Sequence, residues 1–593
     1  MDRFLLFTRT IRYLKWKQVV WRLYLVWARA TQRVQPVPLL VCLKPYPLVA
    51  PIERAPGWLG DGFRFLNREV RCHSIDWNAS DRPKLWLYNL HYFDYLQQPS
   101  LDQADGIALI LDWVERNPPF QGNGWEPYPI SLRIVNWLKF LCRERLDPAT
   151  EARIAQSLYQ QARHLRRTLE YHLLANHLFK NGVALLFAGA LMKGGREPEE
   201  WSRKGVEILR AEIAEQILPD GGHFERSPMY HAIILEDVLD CLNLLSNANA
   251  NATVSFGDLP SPQPLSPLGR GALEMGALAD LRPSRSHAHP IKPKSENVEV
   301  NLRSTAERML SFLQDIVHPD GSYPRFNDSA EGVAPTLDQL RRYAVRLNIP
   351  VPPFSPPEAA PAVIEKADFG LCVLSNGPWR CLVDCGPIGP DYQPGHTHCD
   401  TLSFELTLDG VLVAVNAGTY EYAGSERNRF RATRAHNTLE LDGQEQHEIW
   451  STFRVARRGY PRQIQVRGGG GLATFSGQHT GYRRLLGRPI HQRTLTLSAS
   501  GLHVVDQVLS SGRHRAISRV HLHPDVELRG CDETVAELSV AGRRLLMKLE
   551  SGRLSVGEYD FSREFGLLEP AKVLIVADAR STALRLSYRL EFE

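Results

Sequence analysis

Nine cysteines in 593 residues are too few and too scattered for a disulfide framework. Only Cys381 and Cys385 lie near one another in sequence, and an odd count leaves a thiol over. They read as buried free thiols in a reducing compartment. Charge of one sign is not in excess: 70 Lys and Arg against 66 Asp and Glu give +4, which excludes a nucleic-acid binder built on bulk charge. No run approaches the roughly 18 apolar residues of a membrane span. A signal peptide needs about 7–15 uninterrupted apolar residues, and near the N-terminus a charge arrives before any such stretch forms. The expected location is therefore the cytoplasm or the inner face of a membrane. No Gly-rich phosphate loop or dinucleotide fingerprint occurs. Apolar and charged content, 43% and 23%, is that of a chain able to bury a large core.

Residues 1–34 carry eight basic side chains and one acid, Asp2, interleaved with Phe4, Leu5, Phe7, Trp16, Trp21 and Leu23. This predicts a basic amphipathic helix, docked on its own domain or attached to an anionic membrane surface. With the Pro-rich stretch that follows it forms a segment 1–56. A second unit, 57–350, is expected to be helical: from about 103 to 247, and again at about 302–318 and 336–347, apolar residues recur three and four apart, and Pro and Gly punctuate the gaps, which predicts helices paired as hairpins. Within that unit, 255–300 is rich in Pro, Ser and Gly without a period and reads as a disordered insertion. After another Pro-rich link, 362–593 breaks into short alternating segments divided by Gly, Asn and Asp turns, which predicts an antiparallel β-sandwich. The Gly468–Gly471 run reads as a hairpin. The fold class is α+β, multidomain, helices first.

Three polar clusters interrupt well-patterned segments. Asn176 and His177 stand inside an apolar helix, where an amide and an imidazole need a reason. In PDGGHFERSPMYH a Gly turn leads through Glu225 to Pro228, a favourable first helical residue, with Tyr230 and His231 in the first turn. The helix dipole there is expected to favour an ionised phenol at Tyr230. In PGHTHCDTLSFEL, His396 and His398 share a face if on a strand and diverge if on a turn. With the distant His436 they make a zinc-like pattern.

Together ANHLFKNGVALLFAG, DGGHFERSPMYH, PGHTHCDTLSFEL, NAGTYEY and FRATRAHNTLELDGQEQHEIW resemble the heparinase II/III-like polysaccharide lyases, over about residues 85–590. The resemblance implies an incomplete α/α toroid followed by an antiparallel β-sandwich. It implies β-elimination at a uronic acid of an acidic polysaccharide, with no organic cofactor. Family members commonly act in the cell envelope, an alternative to the cytoplasm. The uronate carboxylate must be neutralised, the C5 proton removed and the departing O4 protonated. Carried over by position, Asn176 is the carboxylate-neutralising amide, His177 its neighbour, Tyr230 the base, acid or both, and His396 the second acid/base. His398 and His436 match zinc ligands, and Asn416 stands where the family commonly has Asp; an amide binds zinc far less well than a carboxylate. Lys180 replaces a common acidic residue and is expected to add positive potential or to lie on a solvated face. Trp125, Tyr128, Arg133, Asn136, Trp137, Glu225, His231, Asn327, Asp328 and Arg434 are candidate groove residues, aromatics for stacking on sugars and Arg for clamping a carboxylate. Two other readings compete: an inactive glycan-binding protein, and a glycoside hydrolase using Glu225 and Asp328.

Overall fold

The computed structural model describes residues 2–38, 41–246, 298–353, 361–578 and 581–592. The expected insertion lies outside the described residues as far as 297. Two helices, α1 (Asp2–Ile11) and α2 (Trp16–Ala30), replace the single N-terminal helix expected. The chain turns between them, and the Gln18 side chain reaches back to the Lys15 N–H, closing the start of α2.

The helical unit runs through α3 (Lys84–Tyr92), α4 (Gln103–Arg116), α5 (Pro127–Leu141), α6 (Pro148–Arg167), α7 (Ala175–Leu191), α8 (Glu197–Gln216), α9 (Pro228–Ser246), α10 (Val298–Ile316) and α11 (Leu337–Arg346). Caps set several starts. Asp102 and Asp147 accept from N–H groups of the first turns of α4 and α6, and Thr336 with Gln339 makes a capping box on α11. Helices α7 and α9 are buried nearly all round, so they form the interior of the unit. Helix α8 lies backbone to backbone on α7, because a Cβ at Gly205 would come within 2.7 Å of the Leu186 nitrogen.

The β unit holds three large antiparallel sheets of five, eight and four strands, besides the short pair Ile449–Ser451 and Arg454–Val455. In the eight-stranded sheet, Gly501–His514 pairs with Ile490–Ser498 on one side and Ser581–Phe592 on the other. Burial alternates strictly along Ile490–Ser498, as expected for one face on a core. That core joins all three sheets, with Leu406 from the five-stranded sheet, Phe475 and Val504 from the eight-stranded and Val520 and Leu574 from the four-stranded. The Gly run makes the hairpin between Pro461–Gly469 and Leu472–His479.

The five-stranded sheet is buried on both faces. In its strand Leu371–Asn376, Leu371 and Val373 pack into the helical core, while Cys372 and Leu374 pack into the β core. Side-chain alternation thus welds the two units together and holds the loop 385–403 over the N-terminal ends of α7 and α9. No disulfide forms among the described residues; five of the nine cysteines are buried as expected, but Cys42 and Cys531 are exposed.

Candidate active site

Asn176 sits at the start of α7, after Leu174 (φ 66°) and Ala175 (φ 55°), both in a region that costs a non-glycine residue about 1–3 kcal/mol. Arg226 and Asn327 are also left-handed, at 60° and 55°. These four strained residues flank one cluster of side chains. Strain of this kind persists where surrounding contacts over-determine it.

The contacts are present. The Asn176 backbone N–H and Nδ2 donate to the Glu225 carboxylate at 2.9–3.0 Å. Ser227 caps α9 by accepting from the Tyr230 N–H. Asn327 donates from its N–H to Asp400, accepts from the His398 N–H and donates from Nδ2 to the Arg226 carbonyl. The Asp328 N–H donates to the His396 carbonyl. The loop after α10 is thereby stitched to the β-unit loop carrying both histidines.

Asp328 is the hub. His396 Nδ1 donates to one of its oxygens at 2.8 Å and His398 Nε2 to the other at 2.9 Å. The Arg427 guanidinium grips both, with Nη2 at 2.7 Å. Burial works to raise the Asp328 pKa, but Arg427 and the two histidine hydrogen bonds hold it well below the carboxylate range. Glu225 is also fully buried; His396, His223 and the Asn176 donors outweigh that burial and lower its pKa. His396 Nε2 lies 3.3 Å from Glu225. Two amide donors and an imidazole thus converge on one carboxylate.

The Tyr230 and His396 rings are in contact, and the Tyr230 hydroxyl shares a 3.0 Å hydrogen bond with Tyr422. Tyr230 is not the ionised phenol expected from its place in the first helical turn. Burial, then the Tyr422 hydroxyl and the carboxylates of Asp328 and Glu225, push the Tyr230 pKa well above 10. On the other side of the cluster the His177 ring lies 4.5 Å from that of Tyr128, tilted by 46°, and donates to Glu170 at 3.0 Å. Burial opposes its charged form, but Glu170 lifts its pKa above the ordinary histidine value. Tyr128, His177, His396 and Tyr422 keep partial exposure, so the cluster opens to solvent.

His396 and His398 lie on a turn, and they diverge onto the two oxygens of Asp328. His398, Asp400 and His436 are all buried, with ligand atoms within 4.8 Å of one another. His398 Nε2 donates to Asp328 and His436 Nδ1 donates to the Ala432 carbonyl at 2.8 Å. Those partners leave His398 Nδ1 and His436 Nε2 as bare lone pairs facing one another at 3.1 Å. Burial holds both rings near pKa 4, so a shared proton is costly. A cation bound between them would resolve the clash, and two imidazoles with a carboxylate suit zinc. The carboxylate reaching the pair is Asp400. Asn416 Oδ1 is taken up by Ser403 and the Asn437 N–H, and its Nδ2 is buried without a hydrogen-bond partner among the described residues.

Several candidate groove residues stand elsewhere. Arg133 is fully buried and spends its donors on Gln161 and the carbonyls of His91 and Gly124, so it clamps no carboxylate. Trp125 packs among Trp113, Phe120 and His164, and Trp137 is core. Asn136 binds Asp94 and the Tyr92 carbonyl; His231 is buried against the Met309 carbonyl. Arg434 is exposed, and its carbonyl accepts from His521. Lys180 is neither solvated nor free: it is buried against Asp237 at 2.7 Å. The residues not singled out from sequence are Glu170, Asp400, Tyr422 and Arg427. Asp400 follows His398 by two positions, the spacing that signalled the histidines themselves.

Two family models match the chain: Heparinase II/III N-terminus over residues 103–257 and Heparinase II/III-like, C-terminal over 360–589. The chain belongs to the heparinase II/III-like family. Among curated relatives, this heparinase II/III-like chain is 25% identical over 370 residues to a heparin-sulfate lyase of Pedobacter heparinus, covering 57% of this chain and 48% of the relative. It is 22% identical over 379 residues to the heparin-sulfate lyase of Bacteroides stercoris, covering 56% and 49%. The matches span about half the length of these relatives. A crystal structure of heparinase III superposes with a TM-score of 0.64 at 17% identity, over 87% of this chain and 79% of that one, a likeness of fold.

Proposed function

We propose that the protein is a polysaccharide lyase that cleaves a uronate-containing acidic glycan by β-elimination, in the metabolism of an exopolysaccharide. One observation carries the reading: a phenol from the helical unit, Tyr230, and an imidazole from the β unit, His396, touch beside donors that already hold a carboxylate. The heparin-sulfate lyases among the relatives act on a polysaccharide of this charge. We read the helical unit as the incomplete α/α toroid of the family and the β unit as its sandwich; the paired helices and the core shared between sheets support this.

Three tasks need three groups. Neutralising the sugar carboxylate falls to Asn176 and His177, the donors at the start of α7. Removing the C5 proton falls to His396: its Nδ1 is fixed by Asp328, and Nε2, beside Glu225 at 3.3 Å, is the nitrogen left to take the proton. Protonating O4 falls to Tyr230, because its surroundings keep the phenol protonated. Tyr422 hydrogen-bonds that phenol and orients it. A metal held by His398, Asp400 and His436 would supply a fixed positive charge behind the histidine loop. These residues hold that loop in register with Asp328.

The hydrolase reading is weaker. A hydrolase needs one carboxylic acid kept protonated. Glu225 and Asp328 are both shifted down, and His396 stands between them. The deciding experiment incubates the full chain with heparan sulfate and several polyuronates and follows ultraviolet absorbance together with reducing ends. New absorbance from a C=C bond that rises in step with reducing ends supports the lyase. Reducing ends without that absorbance refute it, and binding without either product points to an inactive glycan-binding protein.

A further inference from the structure

We propose that α1, α2 and the arginines beside them form a docking surface for an anionic lipid bilayer. Helix α2 has two apolar faces. One is spent on the protein: Leu25 and Ala28 are buried, Trp21 donates to the Leu169 carbonyl and meets Tyr171 edge to face, and Gln18 reaches the carbonyls of His172 and Tyr392. The opposite face carries Trp16, Val19, Val20, Leu23, Val26 and Trp27, spaced three and four apart along one stripe. That stripe faces solvent, with Trp16 77%, Leu23 70%, Val26 70% and Trp27 58% exposed. Helix α1 repeats the pattern with Phe4, Phe7 and Ile11. Among the described residues, eleven of the twenty exposed large apolar side chains lie within residues 4–34. Contiguous exposure of this kind marks a surface with a partner.

Charge identifies the partner. Lys17, Arg22 and Arg29 flank the α2 stripe, and residues 3–34 contain no acid. Where α1 ends, Arg9 and Arg12 line a basin with Arg457, Arg462, Arg483 and Arg488 from the β unit. A second copy seated here would set arginine against arginine. A bilayer with anionic headgroups offers both what the stripe and what the flanks require: hydrocarbon for the tryptophans and leucine, phosphate for the guanidinium groups. Trp is the side chain favoured at that boundary. No described helix is long and apolar enough to cross a membrane, so these helices lie in the interface. Because Gln18 bonds to carbonyls on the two segments leading to Asn176 and His396, docking sets the cleft beside the lipid surface.

The test uses the full chain and sedimentation with vesicles of phosphatidylcholine alone or with phosphatidylglycerol. Binding is expected to the anionic vesicles at low salt, with a blue shift of tryptophan emission, and to weaken as salt rises. Leu23→Asp with Trp27→Asp should weaken partitioning about tenfold or more at unchanged melting temperature, since both side chains are exposed. Arg12→Glu with Arg488→Glu should weaken it by a similar factor without touching the stripe, at about 1 kcal/mol per basic residue near the surface. No sedimentation with anionic vesicles overturns the proposal. So does binding that the stripe variant leaves unchanged, which would make the basin a general polyanion site. A dimer in solution that the stripe variant dissociates also overturns it.

Discussion

The phenol ring of Tyr230 lies 3.8 Å, centroid to centroid, from the imidazole of His396, with the planes 33° apart. One residue begins a helix and the other ends a β-unit turn, so their contact depends on how the two units are joined. That joint is the doubly buried five-stranded sheet, and its reach into both cores makes the contact a property of the whole fold. Tyr230→Phe keeps the ring contact and removes the proton. Turnover is expected to fall by roughly 10²–10⁴-fold with the melting temperature unchanged. Tyr422→Phe, which loses only the hydroxyl that orients Tyr230, should cost less. Initial rates of C=C formation on the cleaved polymer check both, and a Tyr230→Phe enzyme at full rate would remove the phenol from the mechanism.

Asp328 is a buried carboxylate answered by Arg427 and two histidines. Removing one member of a buried ionic network leaves the others uncompensated, at about 3–5 kcal/mol. Asp328→Asn should therefore lower stability by that order and lose turnover, because the amide keeps one acceptor oxygen for the two histidines and no charge for Arg427. Denaturant midpoints and rates measure the two effects separately. Leu23→Asp, on the exposed face of α2, should move neither.

The facing lone pairs of His398 and His436 give a metal-dependent prediction. Chelation is expected to lower the melting temperature of metal-loaded protein, and readdition of zinc to restore it. Asp400→Ala and His436→Ala should each lose metal by elemental analysis, whereas Asn416→Ala should retain it. Loss of metal in the Asn416 variant alone would return the ligand role to that amide.

What was legible in the sequence was local. Period and punctuation marked the helices, the switch to alternating short segments marked the sheets, and the odd polar residues in apolar runs marked Asn176, Tyr230 and His396. Resemblance ordered these blocks into one site. The partners supplied from far along the chain were not legible. Arg427 looks like one of several basic residues in RNRFRATR, and nothing local says that it is buried against Asp328. Arg133 shows the converse. Its charge suggests a clamp for carboxylates, yet α5 buries it among carbonyl oxygens and tryptophan faces. The Tyr230 pKa follows the same logic, since the helix-start position is local while the carboxylates and burial that override it are tertiary.

Glu212 allows a test of the packing beneath α2 that is independent of the active site. It is buried on α8, accepts from Gln216 at 2.7 Å and has Lys17 of α2 as a cationic neighbour. Burial outweighs both and raises its pKa from 4.5 to about 7. The sign follows from proton linkage. A carboxyl that holds its proton more tightly when folded stabilises the fold fully below the unfolded value of 4.5. That contribution is lost as pH rises towards 7. Above pH 7 the native protein carries a buried, poorly solvated charge at a cost of roughly 3 kcal/mol. Glu212→Gln keeps the acceptor for Gln216 and removes the titration. The variant should match the parent near pH 4 and exceed it by that amount near pH 8, read as denaturant midpoints across the range. Parallel curves for the two proteins would mean that Lys17 and water solvate the carboxylate well enough to keep it ionised without penalty.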